Sequence, residues 1–209
     1  MGNWIAGLVG VVVTGVIMYI IATLTIQSQE RSVSAVQQRA VRTSEMNLVG
    51  MVESDFQNIG SNFPAFVNDP EFAITAYDTT SATKVFQFTG QTVRWAPPDT
   101  VRYEWNVLGS KKIKKLDGTL KNADVYQIKR FVNGTLSGSS TGAITRFQIR
   151  LRKSDGSPIV GASETRQVLV GISMVSSLGS STLLGETHWD TIIRPAAMAR
   201  WDYMDYIEI

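Results

Sequence analysis

From Trp4 to Ile26 the chain reads WIAGLVGVVVTGVIMYIIATLTI, with no charged side chain anywhere in the run. As an α-helix such a stretch covers roughly 35 Å, enough to cross the hydrocarbon core of a bilayer. A helix that is apolar all round must be covered by lipid, by other helices or by a protein core. The first charge after it is Glu30. No Ala-x-Ala cleavage pattern follows the run, and it is longer than the apolar part of a secretory signal, so it is expected to be retained.

The helical pattern continues past the apolar run. Val41, Leu48, Val52, Phe56 and Ile59 follow one another at steps of seven, four, four and three, with Asp55 beside Phe56. That spacing puts one apolar stripe on one helix face, with glutamine, arginine and serine filling the other. Gly60, Ser61 and Pro64 supply the stop signals. One helix over residues 4–60 is roughly 85 Å long. Its far half is expected to lay Val41, Leu48, Val52, Phe56 and Ile59 on the following domain, and its near half to contact only lipid or other helices. Ala6, Gly10 and Thr14 recur one turn apart, and Gly7 and Gly15 make the same half small-sided. In lipid, small residues let helices approach closely. Trp4, Ala6, Gly7, Gly10, Thr14, Gly15 and Tyr19 are therefore the candidate assembly face.

After Pro64 the period changes to two. Phe72, Ile74 and Ala76 alternate, then Val85, Phe86 and Phe88, and most cleanly Val101, Tyr103, Trp105 and Val107. Further alternation covers residues 125–130, 144–153 and 168–174, and a last strand is expected over His188–Arg194. The sequence thus predicts an α+β chain: a long helix over residues 1–63, transmembrane at 4–26, and an antiparallel β-rich head of seven or eight strands over 64–209. The polar stretches Gly109–Asp124 and Ser137–Gly142 are expected as outward loops.

Little points to chemistry. With no cysteine, thiol nucleophiles, disulfides and zinc–thiolate sites are excluded. The single histidine, His188, has no ligand-spaced neighbours and reads as a strand residue beside Trp189. No nucleophile elbow, zinc-protease motif, phosphate loop or dinucleotide fingerprint occurs. No catalytic, cofactor or metal site is expected. A net charge of +2 is too small to imply nucleic acid. Lys111, Lys112, Lys114, Lys115 and Lys121 form a local basic run that reads as a solvated hairpin. Asp117-Gly118 with Asp124 lacks the oxygen spacing of a calcium loop and reads as a turn. Asn133-Gly134-Thr135 matches a glycosylation acceptor by coincidence. The aromatic, acidic segment Arg200–Ile209 suits either docking on a neighbour or packing on its own domain.

Arg31, Arg39 and Arg42 follow the apolar run, which by the positive-inside rule favours a cytoplasmic C-terminal domain.

An apolar helix running into an amphipathic one, the helix end MVESDFQNIGSNF (51–63) and the stretch DTVRYEWN (99–106) followed by lysines together resemble the type IV pilin-like proteins, especially minor pilins and minor pseudopilins. The resemblance spans nearly the whole chain and is loose. It implies a helix packed in a filament core, a β-rich head outside it, and assembly from a membrane by an ATPase-driven machine. The family's leader peptide has no counterpart beyond Met1-Gly2. Its glutamate at the fifth mature position is matched only by Gly7 or Ile5, depending on where counting starts. The expected function is a structural subunit, membrane-anchored before assembly, that polymerises with copies of itself or with co-assembling pilin-like subunits into an extracellular or periplasmic filament. The alternative is a single-pass anchored accessory or binding subunit of a larger membrane complex.

Overall fold

The computed structural model describes residues 2–61, 73–90, 97–114, 119–140, 144–175, 183–184 and 186–198; side chains at 2–6, 34, 37, 38, 41, 114, 183 and 184 lie outside the description. The fold is α+β. Helix α1 (Gly2–Gln57) precedes nine strands: β1 (Ile74–Asp78), β2 (Thr83–Gly90), β3 (Asp99–Lys114), β4 (Leu120–Val132), β5 (Thr135–Ser139), β6 (Ile144–Arg152), β7 (Gln167–Val175), β8 (Leu183–Leu184) and β9 (Glu186–Ile193). The chain divides into two compact units, Met1–Arg42 and Thr43–Ile209. The first is purely helical. The second contains the last turns of α1 and the sheet.

The strands form one sheet in the order β1-β2-β3-β4-β6-β7-β9, with β5 beside β4 and β8 beside β3. Every pairing is antiparallel except β3 with β8. The sheet is curled. The Tyr77 hydroxyl on β1, an edge strand, donates to the carbonyl of Ile149 on β6, a strand far along the order, at 3.0 Å.

Period-two alternation sends one set of side chains inward. Phe86 stands opposite Tyr103, Phe88 opposite Val101, and Trp105 opposite Ile128. On the other side Phe147, Ile149 and Leu151 face Ile172, Val170 and Val168. A bulge between Ile144 and Arg146 lets Ile144 and Phe147, three residues apart, both face inward. A second bulge between Val107 and Gly109 reverses the facing of β3. Ile113 then packs away from the main core, with Val175 and Ala123.

Two expected loops are strands. Residues 109–114 extend β3 and 120–124 belong to β4, so the lysine run sits on a paired hairpin; its tip, 115–118 with Asp117-Gly118, lies outside the described residues. Residues 137–139 of the Ser137–Gly142 stretch belong to β5, and 141–142 lie outside the described residues. Asn133 (φ 50°) and Gly134 (φ 79°) make a tight turn that returns the chain onto β4. Both segments are mostly polar and show no sustained alternation; apart from Ile113 and Ala123, which pack with Val175, backbone pairing rather than side-chain burial holds them.

The helix also stops slightly sooner than Gly60. α1 ends at Gln57, and Ile59 pairs in extended form with Gly90 at the end of β2. Gly60 (φ 71°) donates its N–H to the carbonyl of Thr89 at 2.8 Å. The approach is close: a Cβ on Gly90 would lie 2.5 Å from the Asn58 carbonyl oxygen. Gly90→Ala is therefore expected to push the helix end off the sheet and cost about 1–3 kcal/mol of stability. Chemical denaturation of the variant beside the parent chain measures this, and an unchanged midpoint contradicts it.

Candidate functional site

Two features stand out, one in each compact unit. In the first, residues Gly7–Val33 form a 27-residue helical stretch of mean hydropathy 2.3, none of it buried. By length and composition it can cross a membrane. Leu8, Val11, Val13, Ile17, Met18 and Ile20 are all exposed. So is Tyr19, and Thr14 shares the same open environment. At Gly7, Gly10 and Gly15 an added Cβ would meet nothing within 4 Å. The side chains of Trp4 and Ala6 lie outside the described residues. Thr23 and Thr25 return their hydroxyls to the carbonyls of Tyr19 and Ile21, each at 2.8 Å, so their polar atoms are satisfied within the helix.

In the second unit, the end of α1 is seated on the curled sheet. Val52, Phe56 and Ile59 are fully buried, and Leu48 is half-buried; the Val41 side chain lies outside the description. Phe56 is the centre of the contact. It meets the rings of Phe86, Phe88 and Tyr103 edge-on, at centroid distances of 5.2, 5.6 and 5.5 Å. Edge-to-face packing sets the positive rim of one ring against the negative face of the next. The cluster extends through Tyr103 to Phe147 and from there to Trp105.

Beside Phe56, Asp55 is also buried, at 7 % exposure. Its carboxylate accepts the Tyr103 hydroxyl at 2.5 Å, Arg130 Nε at 2.6 Å and Arg130 Nη2 at 2.9 Å. The Arg130 fork thus spans both carboxylate oxygens. Its remaining nitrogen, Nη1, donates to Ser137 on β5 at 2.8 Å. Hydrogen bonding to Asp55 holds the Arg130 guanidinium above its ordinary range. Burial, and then the negative charge of Asp55, raises the Tyr103 phenol well above its usual value. Sequence reading placed Asp55 only as a neighbour of Phe56. Its partners are 48 and 75 residues away, and no spacing signals them.

The remaining candidates stay dispersed. His188 lies on β9, with Nδ1 2.8 Å from the Ser173 hydroxyl and Nε2 3.7 Å from Glu186. Ser173 is itself buried, so this Ser–His–Glu grouping presents no open nucleophile. Asn133 spends its side-chain amide on Thr100 N–H and on Asp99, at 2.9 and 2.7 Å, so its glycosylation-type motif is tied into a turn. Among the described residues no group of acidic or histidine side chains could hold a metal.

Removing one partner of a buried ion pair leaves the other unsatisfied, at about 3–5 kcal/mol. Asp55→Ala is expected to cost this much, and Phe56→Ala about 3–5 kcal/mol through the cavity it leaves. Thermal or denaturant unfolding followed in the far ultraviolet reads both. Tyr103→Phe removes one hydrogen bond and costs about 1 kcal/mol near neutrality. Its pH signature is more specific. The unfolded chain releases the Tyr103 proton above about pH 10 while the folded chain retains it. That contribution is intact below pH 10 and is lost as the pH rises further. Tyr103→Phe should therefore flatten the fall of stability above pH 10; an unchanged slope excludes the buried phenol as its source.

Comparison of the chain with protein-family models, with curated proteins and with solved structures found no match. The architecture alone, a long apolar N-terminal helix followed by an antiparallel β-sheet, is pilin-like.

Proposed function

We propose that this protein is a pilin-like structural subunit, anchored in a membrane by α1 before assembly and polymerising through the same helix surface into an extracellular or periplasmic filament. One observation carries the reading. From Leu8 to Ile26 the helix exposes an almost unbroken apolar surface, while the sheet unit fills its core with the end of the same helix. Apolar surface of that extent is covered in the functional state. Lipid covers it before assembly, and helices of copies or related subunits cover it afterwards. The exchange costs little because both environments are equally dry. Packing at the small residues Gly7, Gly10, Thr14 and Gly15 then favours neighbouring helices over acyl chains. The reading includes no catalytic step, no cofactor and no nucleic-acid partner.

A single-pass accessory subunit is the second reading. It is favoured by Arg31, Arg39 and Arg42, whose position after the apolar stretch points to a cytoplasmic sheet unit. Protease treatment of cells stripped of any outer membrane separates the two, since a sheet unit on the outer side of the inner membrane is then digested and a cytoplasmic one is not.

Gly10→Ile is expected to leave membrane insertion intact and to reduce polymer, by about tenfold for a loss near 1.4 kcal/mol of helix packing. Val13→Arg is expected to impair both, because a charge at mid-helix is costly in lipid. Membrane flotation and negative-stain imaging of the two variants measure this. A stable membrane monomer that forms no polymer with or without Gly10→Ile refutes the polymer reading.

A further inference from the structure

The outward face of β6, β7 and β9 holds a groove of 540 Å³, lined by Gln148, Arg150, Leu169, Gly171, Asp190 and Ile192 among others. The sequence of β7 creates it. The strand is buried on both faces, but its outward positions in the middle are Leu169 and Gly171, so little side chain rises from the floor. The walls differ in chemistry. β6 supplies Gln148 and Arg150, both exposed, and β9 supplies Ile192, which is 57 % exposed.

One end of the groove is closed. Arg146 on β6 reaches over Gly171 to an ion pair with Asp190 on β9. A Cβ at Gly171 would collide with both partners, so the glycine is what lets the bridge form. The bridge also neutralises Asp190, the one acidic side chain in the lining. At the other end the groove opens toward Leu169 and Ile192, which stand opposite each other in the register. Arg150 is the next neighbour there, paired in register with Leu169. Arg194, exposed, follows two residues beyond Ile192. The open end is therefore an apolar floor rimmed by guanidinium groups.

The chain leaves β9 at this end. β9 finishes at Ile193, and Met198 is fully buried five residues later. The segment that follows, residues 201–209 (WDYMDYIEI), carries Asp202, Asp205 and Glu208 and no basic residue, interleaved with aromatic and aliphatic side chains. Its placement lies outside the described residues. Its chemistry matches the groove on both counts, carboxylates for Arg150 and Arg194 and apolar groups for Leu169 and Ile192. The reach is ample. Eleven residues from 199 to 209 extend at most about 40 Å from Met198.

We propose that this groove is the docking site for residues 201–209 of the same chain. Tethering decides between the chain's own segment and that of a second copy. A short connection holds the segment at an effective concentration in the millimolar range, far above that of a neighbour in dilute solution. Docked, the segment covers the apolar floor and lies along the outward side of β9, the last strand of the sheet among the described residues.

The chain has no cysteine, so an engineered pair forms the only disulfide available. The full-length protein in detergent micelles carries Ile192→Cys with Ile207→Cys, and a control carries Val107→Cys, on a different strand, with Ile207→Cys. The expected result is an intramolecular disulfide that forms at least about tenfold faster in the Ile192 pair than in the control. Arg150→Glu with Arg194→Glu should slow it by about tenfold, and so should raised salt. Adding Asp205→Arg and Glu208→Arg should restore the rate. Equal rates in the two pairs overturn docking in this groove. Disulfide-linked dimers of differently tagged copies overturn docking within one chain. Insensitivity to both charge reversal and salt overturns the pairing of carboxylates with arginines.

Discussion

Asp55 is a carboxylate placed where a carboxylate is costly. It lies in the last turn of a helix, where the backbone dipole disfavours negative charge, and it is buried. What makes the position tenable is the Arg130 fork and the Tyr103 hydroxyl, which satisfy both of its oxygens from two neighbouring strands. Because the fork is planar and bidentate, it holds the helix end at one rotation and one height on the sheet. The seating of Val52, Phe56 and Ile59 in the curl follows from that geometry. A buried pair of this sort adds little net stability, since its gain is offset by the desolvation of both ions. Phe56 supplies the complementary term, non-directional burial within a four-ring contact.

The sheet is shaped to receive that helix end. Gly90 leaves room for the Asn58 carbonyl, and the extended Ile59 adds a short rung beside β2. Bulges at Ile144/Arg146 and Val107/Gly109 change which side chains face inward. The first keeps Ile144 and Phe147 together in the core. The second sends Ile113 to a small cluster with Val175 and Ala123. Tyr77 ties the β1 edge to β6, so that edge, short and bulged, is held. The other edge, β9, runs eight residues in unbroken register. Long regular edges are normally protected or used.

Much of this was legible in the sequence because it depends on periodicity. An uncharged run from Trp4 to Ile26 has one secondary structure available to it in an apolar medium, and the exposure of its described side chains, from Gly7 on, agrees with that. The 3.6-residue spacing of Val52, Phe56 and Ile59 identified the buried side of the helix end. Alternation located β2, β3, β6, β7 and β9 to within a few residues. It failed at β5 and at the far ends of β3 and β4. There serine, glycine and lysine are held by backbone pairing, which leaves no side-chain pattern to read.

The sequence by itself determined the long helix, the alternating strands, the apolar helix surface and the lack of thiol chemistry, since each is a property of neighbouring residues. Tertiary structure alone decided that Asp55 meets Arg130 and Tyr103, that Gly171 makes way for the Arg146–Asp190 bridge, and that Arg150 and Ile192 border one groove. Those partners lie tens of residues apart along the chain. Only the register of the strands brings them within a few ångströms, and register is settled by the whole sheet packing at once rather than by any segment of it.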